Sequence, residues 1–125
     1  MGDDRPLSVT LENRLMGQGI YVTDWERTDE TIALEYETVV QTRAVTSDEV
    51  GLVVRTLLAA VDEREGWTPQ RLEATSRTTD GDVRGTWHVE DEWFEALYES
   101  VDELEFSRRV LSTIETSPED AAGKI

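Results

Sequence analysis

The chain has 125 residues, 28 acidic against 12 basic side chains and a formal charge of −16, so it has room for one core and a strongly anionic surface. Zero cysteines exclude disulfides, thiolate metal sites and cysteine nucleophiles. No apolar run approaches the roughly 18 residues that a membrane-crossing helix needs, and the opening MGDDRPLSV lacks the apolar segment of a secretion signal.

Residues 1–6 read as a disordered start. Leu7, Leu11 and Leu15 recur four apart, which predicts a short helix over 8–16 closed by Gly17-Gln18-Gly19. A strand over 20–26, the polar stretch Arg27-Thr28-Asp29-Glu30 and a second strand over 31–40 predict an antiparallel hairpin. In the second strand Ile32, Leu34 and Tyr36 alternate with Ala33, Glu35 and Glu37. The register of the first strand is open. One choice puts Ile20 and Val22 inside and leaves Tyr21 and Trp25 on the open face; the other reverses them.

The clearest helix runs from Thr46 to Gly66. Val50, Val53, Val54, Leu57, Leu58 and Val61 share one face at three- and four-residue steps. Thr46 and Glu49 have capping-box spacing, in which the hydroxyl accepts a backbone N–H while the carboxylate reaches back to another. Gly66 is placed to end the helix in the left-handed conformation, and Trp67-Thr68-Pro69 reads as a connector. A strand over 70–78, the Asp80-Gly81 turn and a strand over 83–90 form a second hairpin. Its register sets Leu72 opposite Val89 and Ala74 opposite Trp87 on an apolar face. Arg71, Glu73, Thr75 and Arg77 line the wet face with Arg84, Thr86, His88 and Glu90. Glu90-Asp91-Glu92 opens a helix carrying Trp93, Leu97 and Val101, favoured by carboxylates near its positive end. After a break near 101–103, a last helix over 104–114 ends before Pro118.

The fold expected is α+β: a two-layer sandwich, order α-β-β-α-β-β-α-α, with a four-stranded, mostly antiparallel sheet and helices on one face. A single domain spans 7–116, with a flexible tail over 117–125.

The stretches Leu11–Val39 (LENRLMGQGIYVTDWERTDETIALEYETV), Gly85–Leu97 (GTWHVEDEWFEAL) and Glu103–Glu115 (ELEFSRRVLSTIE) resemble those of a family of small acidic haloarchaeal proteins with no assigned function. The resemblance covers most of 7–115 and rests on texture and segment order. It implies a salt-filled cytoplasm and carries over no active site.

The charge pattern points the same way independently. Eleven of the basic residues are arginine and Lys124 is the single lysine, while carboxylates are spread along the chain. At low ionic strength such a surface repels itself; in molar salt the Debye length falls to about 3 Å and the repulsion is screened. A DNA mimic or a binder of basic partners is the competing reading, but would cluster its acids.

No nucleophile-and-base set is legible. His88 is the one histidine; it lies on the open sheet face opposite Glu73, where a cross-strand polar pair accounts for it without catalysis. The carboxylate pairs Asp24/Glu26, Asp80/Asp82 and Asp91/Glu92 arise from background in so acidic a chain, so no metal or cofactor is expected. Gly17-Gln18-Gly19 lies between helix and strand, the reverse of a phosphate loop. Arg77 and Arg84 fall opposite each other with Arg71 on the same strand as Arg77. They read either as an anion-binding patch or as cations paired to Glu35, Glu37, Glu73 or Glu90.

These features lead to a non-enzymatic, cytoplasmic protein-interaction domain, binding an unidentified partner or itself as a homodimer through Tyr21, Trp25, Arg71, Arg77, Arg84 and His88 on the open face. A small-ligand or weakly enzymatic pocket near Trp67, Trp87 and Trp93 is the first alternative. An accessory nucleic-acid site on Arg71, Arg77 and Arg84 is the second, disfavoured by the global charge and by salt.

Overall fold

A computed structural model describes residues 7–39, 44–63, 70–99 and 102–116. The expected disordered start at 1–6, tail at 117–125, stop at Gly66 and connector at 67–69 lie outside the described residues. Helix α1 (Leu7–Met16) leads into strands β1 (Ile20–Arg27) and β2 (Thr31–Thr38). Helix α2 (Ser47–Asp62) precedes β3 (Arg71–Arg77) and β4 (Val83–Val89). Helices α3 (Asp91–Glu99) and α4 (Glu103–Leu111) and the two-residue strand β5 (Glu115–Thr116) close the chain.

The sheet runs in the order β1-β2-β3-β4-β5. Both hairpins are antiparallel as expected, and β4 pairs antiparallel with β5. The central pair β2/β3 is parallel, so the sheet is mixed. A parallel neighbour needs a crossover, and α2 supplies it. The α+β class and the element order stand as expected; β5 is an addition that the sequence did not signal.

Alternation in β2 buries Ile32, Leu34, Tyr36 and Thr38, and in β3 it buries Leu72, Ala74 and Ser76. Trp87 and Val89 of β4 complete this face, with Leu72 opposite Val89 and Ala74 opposite Trp87 as expected. Above it α2 buries Val50, Val53, Val54, Leu57, Ala60 and Val61, while α1 adds Leu7, Leu11 and Leu15. Phe94 of α3 and Phe106 and Val110 of α4 join the same core. The predicted capping box is present: the Thr46 hydroxyl accepts from Glu49 N at 3.2 Å, and Glu49 Oε1 accepts from Thr46 N at 3.0 Å. Helix α1 ends at a turn in which Gly19 takes φ 85°, a left-handed value that favours glycine.

Two β-bulges break the alternation and decide which side chains face inward. In β1, Val22 pairs with Tyr36 and Asp24 with Glu35, so Thr23 is an extra residue. Ile20, Val22 and Trp25 therefore all turn toward the core, while Tyr21 stays outside at 41% exposure. Neither of the two straight registers holds, because a bulge shifts the phase of the strand by one residue. In β4, Ser76 pairs with Gly85 and Arg77 with Val83, so Arg84 is the extra residue. It leaves the open face and turns inward, to 2% exposure. Gly85 follows because nothing larger fits: a Cβ there would lie 2.5 Å from the Glu115 carbonyl oxygen and 3.0 Å from Val45 Cγ2.

Candidate functional site

Two of the six residues expected to share the open face are not on it. Trp25 packs on the core and Arg84 is buried, so the expected Trp25/Arg77/Arg84 surface is not formed. The charged residues that remain outside are locally paired. Arg71 binds Glu73 at 2.8 Å and Glu90 at 2.7 Å; Arg77 binds Glu35 at 3.0 Å and the Gly81 carbonyl at 2.8 Å. His88 lies opposite Glu73 in register, but its Nε2 sits 3.1 Å from Glu90 and its ring stacks on Trp93 at 5.9 Å. The hydrogen bond from Arg71 holds the Glu90 carboxyl below the ordinary carboxylate range. The outer face is thus a mixed, neutralised surface with a shallow polar depression of about 240 Å³ around Thr75, Thr86 and Thr113.

Arg84 instead completes a polar cluster inside the sandwich. Its Nη1 donates to Glu49 Oε1 at 2.8 Å, to Oε2 at 3.0 Å and to Ser76 Oγ at 2.7 Å, while Nη2 donates to the Ala44 carbonyl. Tyr36 Oη and Ser76 Oγ each donate to Glu49 Oε2 at 2.7 Å, and Trp87 Nε1 donates to Tyr36 Oη at 2.9 Å. One carboxylate therefore caps α2 and ties it to β2, β3 and β4. Burial pushes the Glu49 carboxyl up, but donors from Thr46, Tyr36, Ser76 and Arg84 outweigh it, and the net shift is downward. Burial, then the Glu49 charge, drives the Tyr36 phenol well above its ordinary range. Glu49 and Arg84 are 4% and 2% exposed, so this cluster is closed off among the described residues and orders the fold.

The opening into the core lies elsewhere, between α2 and the α3/α4 pair. A cleft of about 130 Å³ has a floor of Val50, Val54, Leu58, Leu97 and Phe106. It shares Arg55, Leu58, Leu97 and Glu103 with a shallower depression of about 650 Å³ that extends past Ala59, Asp62 and Asp102. The two make one groove with a deep end. Gly51 lies in the wall of the deep end, and a Cβ added there would lie 2.9 Å from Arg55 Nη1. The guanidinium therefore lies across the glycine, along the cleft wall. Neither Trp87 nor Trp93 lines this groove, whose floor is largely aliphatic; Trp87 lines the polar depression on the outer face, and Trp67 lies outside the described residues.

A volume of 130 Å³ decides what the deep end can hold. Pockets for drug-sized ligands span about 300–1,000 Å³, whereas an apolar cavity of about 150 Å³ takes one benzene ring. The cleft fits one apolar side chain. Two signals in the sequence mark it, although neither has the form of a motif. Gly51 sits inside a strongly periodic helix at a cost of about 1 kcal/mol relative to alanine, a position that calls for a packing or functional reason. Arg55 has no acid three or four residues away on its own helix, where Gly51, Leu52, Leu58 and Ala59 stand.

Among the described residues there is no group of three or more His, Asp or Glu side chains placed to hold a metal ion, and no helix long and apolar enough to cross a membrane. A family model described as a domain of unknown function, DUF8159, matches residues 1–120. No curated protein and no solved structure matches the chain.

Proposed function

This chain belongs to the DUF8159 family, a domain of unknown function, and we propose that it is a protein-interaction domain whose binding surface is the groove between α2 and the α3/α4 pair. The observation that carries the reading is the single-side-chain cleft at Gly51, opening onto a longer, shallower groove. An anchor pocket that excludes water around one apolar side chain, flanked by a polar track, is how interfaces concentrate binding energy. The groove lies within helices, so its shape is set by the core beneath and needs little ordering on binding.

The open sheet face supports interaction less well, because its arginines already have carboxylate partners. The same pairing weighs against nucleic acid, as does a formal charge of −16. We read the domain as working in a salt-filled cytoplasm of the haloarchaeal type. The support is the excess of 28 acids over 12 bases, with Lys124 the single lysine.

The test is selection from a displayed random-peptide library in molar KCl, followed by affinity measurement on Gly51→Leu. A Cβ at 51 meets only the far end of the Arg55 side chain, and the rest of a leucine there is placed to occupy the cleft. It should also raise helix stability by about 0.5–1 kcal/mol. Selected peptides are expected to share one large apolar residue and to lose at least about tenfold in affinity for a variant that is no less stable. Undiminished binding to Gly51→Leu refutes the groove.

A further inference from the structure

The groove between α2 and the α3/α4 pair also carries a charge signature. In a chain with 28 acids, most described arginines have found partners. Arg14 binds Glu63 at 2.7 Å, Arg77 binds Glu35 at 3.0 Å, Arg109 binds Glu105 at 3.2 Å, and Arg71 and Arg84 each hold carboxylates. Arg55 makes no ion pair with any described residue. It stands in the middle of α2, away from the negative helix end that would favour a cation. Its guanidinium lies over Gly51 in the wall of the apolar cleft.

Resting on the reading of this groove as the binding surface, we propose that the cleft recognises the C-terminal residue of a partner protein: an apolar side chain in the deep end, with its α-carboxylate on Arg55. A guanidinium presents a planar fork that matches a carboxylate with two parallel hydrogen bonds. The cation is part of the cleft wall, so the carboxylate must lie beside the buried side chain. A C-terminal residue meets that demand, because both groups branch from one Cα. An internal Asp or Glu does not: the neighbouring residue in a strand points to the opposite face, and the nearest same-face residue on a helix is about 5–6 Å along it. Glu103 and Ser107 also line the cleft and offer oxygen acceptors for the N–H of the terminal residue. Arg55 thus sets specificity, and Gly51 makes room for it.

The experiment is amide chemical-shift titration of the full chain in molar KCl with N-acetyl-L-leucine, its primary amide and N-acetylglycine. The acid is expected to move resonances of α2 and α4 and to bind about tenfold tighter than the amide, the difference a charge-assisted bidentate contact supplies. N-acetylglycine, lacking the anchor, should not bind. In Arg55→Gln the acid should fall to parity with the amide while the amide keeps its affinity, a split that general loosening of the fold would not produce. Equal binding of acid and amide to the unmodified chain overturns carboxylate recognition and leaves the groove standing, since selected peptides test the groove separately. Equal loss of both ligands in Arg55→Gln, or no shift on α2 and α4 with any probe, likewise overturns the proposal.

Discussion

Replacing Glu49 with glutamine should be among the most damaging single-atom changes this fold can take. The carboxylate accepts from Arg84, Tyr36, Ser76 and Thr46 at 2.7–3.1 Å, through both oxygens. In Glu49→Gln one of those oxygens becomes an NH2 donor. Placed at Oε2 it faces Tyr36, Ser76 and Arg84; placed at Oε1 it faces Thr46 and Arg84. Either orientation sets donor against donor. Arg84, 2% exposed, keeps Ser76 Oγ and the Ala44 carbonyl as acceptors but loses the Glu49 charge. Removing one partner of a buried pair costs about 3–5 kcal/mol, a large share of the roughly 5–15 kcal/mol that holds a domain together. Urea unfolding in molar KCl measures it. With a slope of about 1.5 kcal/mol/M, the midpoint should fall by about 2–3 M. Arg84→Met should cost less, because Glu49 keeps its three other donors. The double variant should cost less than the two singles added, by at least about 1 kcal/mol. A Glu49→Gln penalty under about 1 kcal/mol, or strict additivity, would refute the buried pair.

The same geometry sets the response to pH, to packing and to salt. The folded Glu49 pKa lies below its unfolded value of about 4.3, so its contribution is present above that pH and is lost as pH falls through the lower, folded value. Acid unfolding of the unmodified chain should therefore be steeper below about pH 4.3 than that of Glu49→Gln, and coincident acid limbs would contradict this. The folded Tyr36 pKa is raised, so its contribution holds below about pH 10 and is lost as pH climbs further; Tyr36→Phe should flatten that alkaline limb. Gly85→Ala should cost about 1–3 kcal/mol and release β5, seen as faster amide exchange around Glu115, since the new methyl would sit 2.5 Å from a backbone oxygen. Raising KCl from about 0.1 to 1 M shortens the Debye length from about 10 to 3 Å. The melting temperature should rise with it, and a flat salt response would remove the salt-adapted reading.

Periodicity carried most of the fold. The α2 stripe, its Thr46/Glu49 cap and the Leu72/Val89 and Ala74/Trp87 pairs could all be read from spacing, because each rests on a repeat of 3.6 or 2 residues. What spacing could not show were single-residue faults in those repeats. A bulge at Thr23 or Arg84 leaves no mark in composition, yet each puts the strand on its two sides out of phase by one residue. A charged residue in a strand reads as outward, and Arg84 turns inward only because Glu49, 35 residues away, waits for it. The parallel β2/β3 pairing was equally hidden, since two hairpins and a helix are compatible with several sheet orders. The groove lay within reach of the sequence: a glycine inside a helix and an arginine without a same-helix partner stand four residues apart.

The groove is tested most directly by mapping one selected peptide onto the isotope-labelled full chain in molar KCl through amide shifts. Perturbations should concentrate on Val50–Leu58 and Glu103–Leu111 if the peptide sits between α2 and the α3/α4 pair. Perturbations confined to Tyr21, Arg77 and His88 on the open sheet face would place the binding surface there instead and refute the groove.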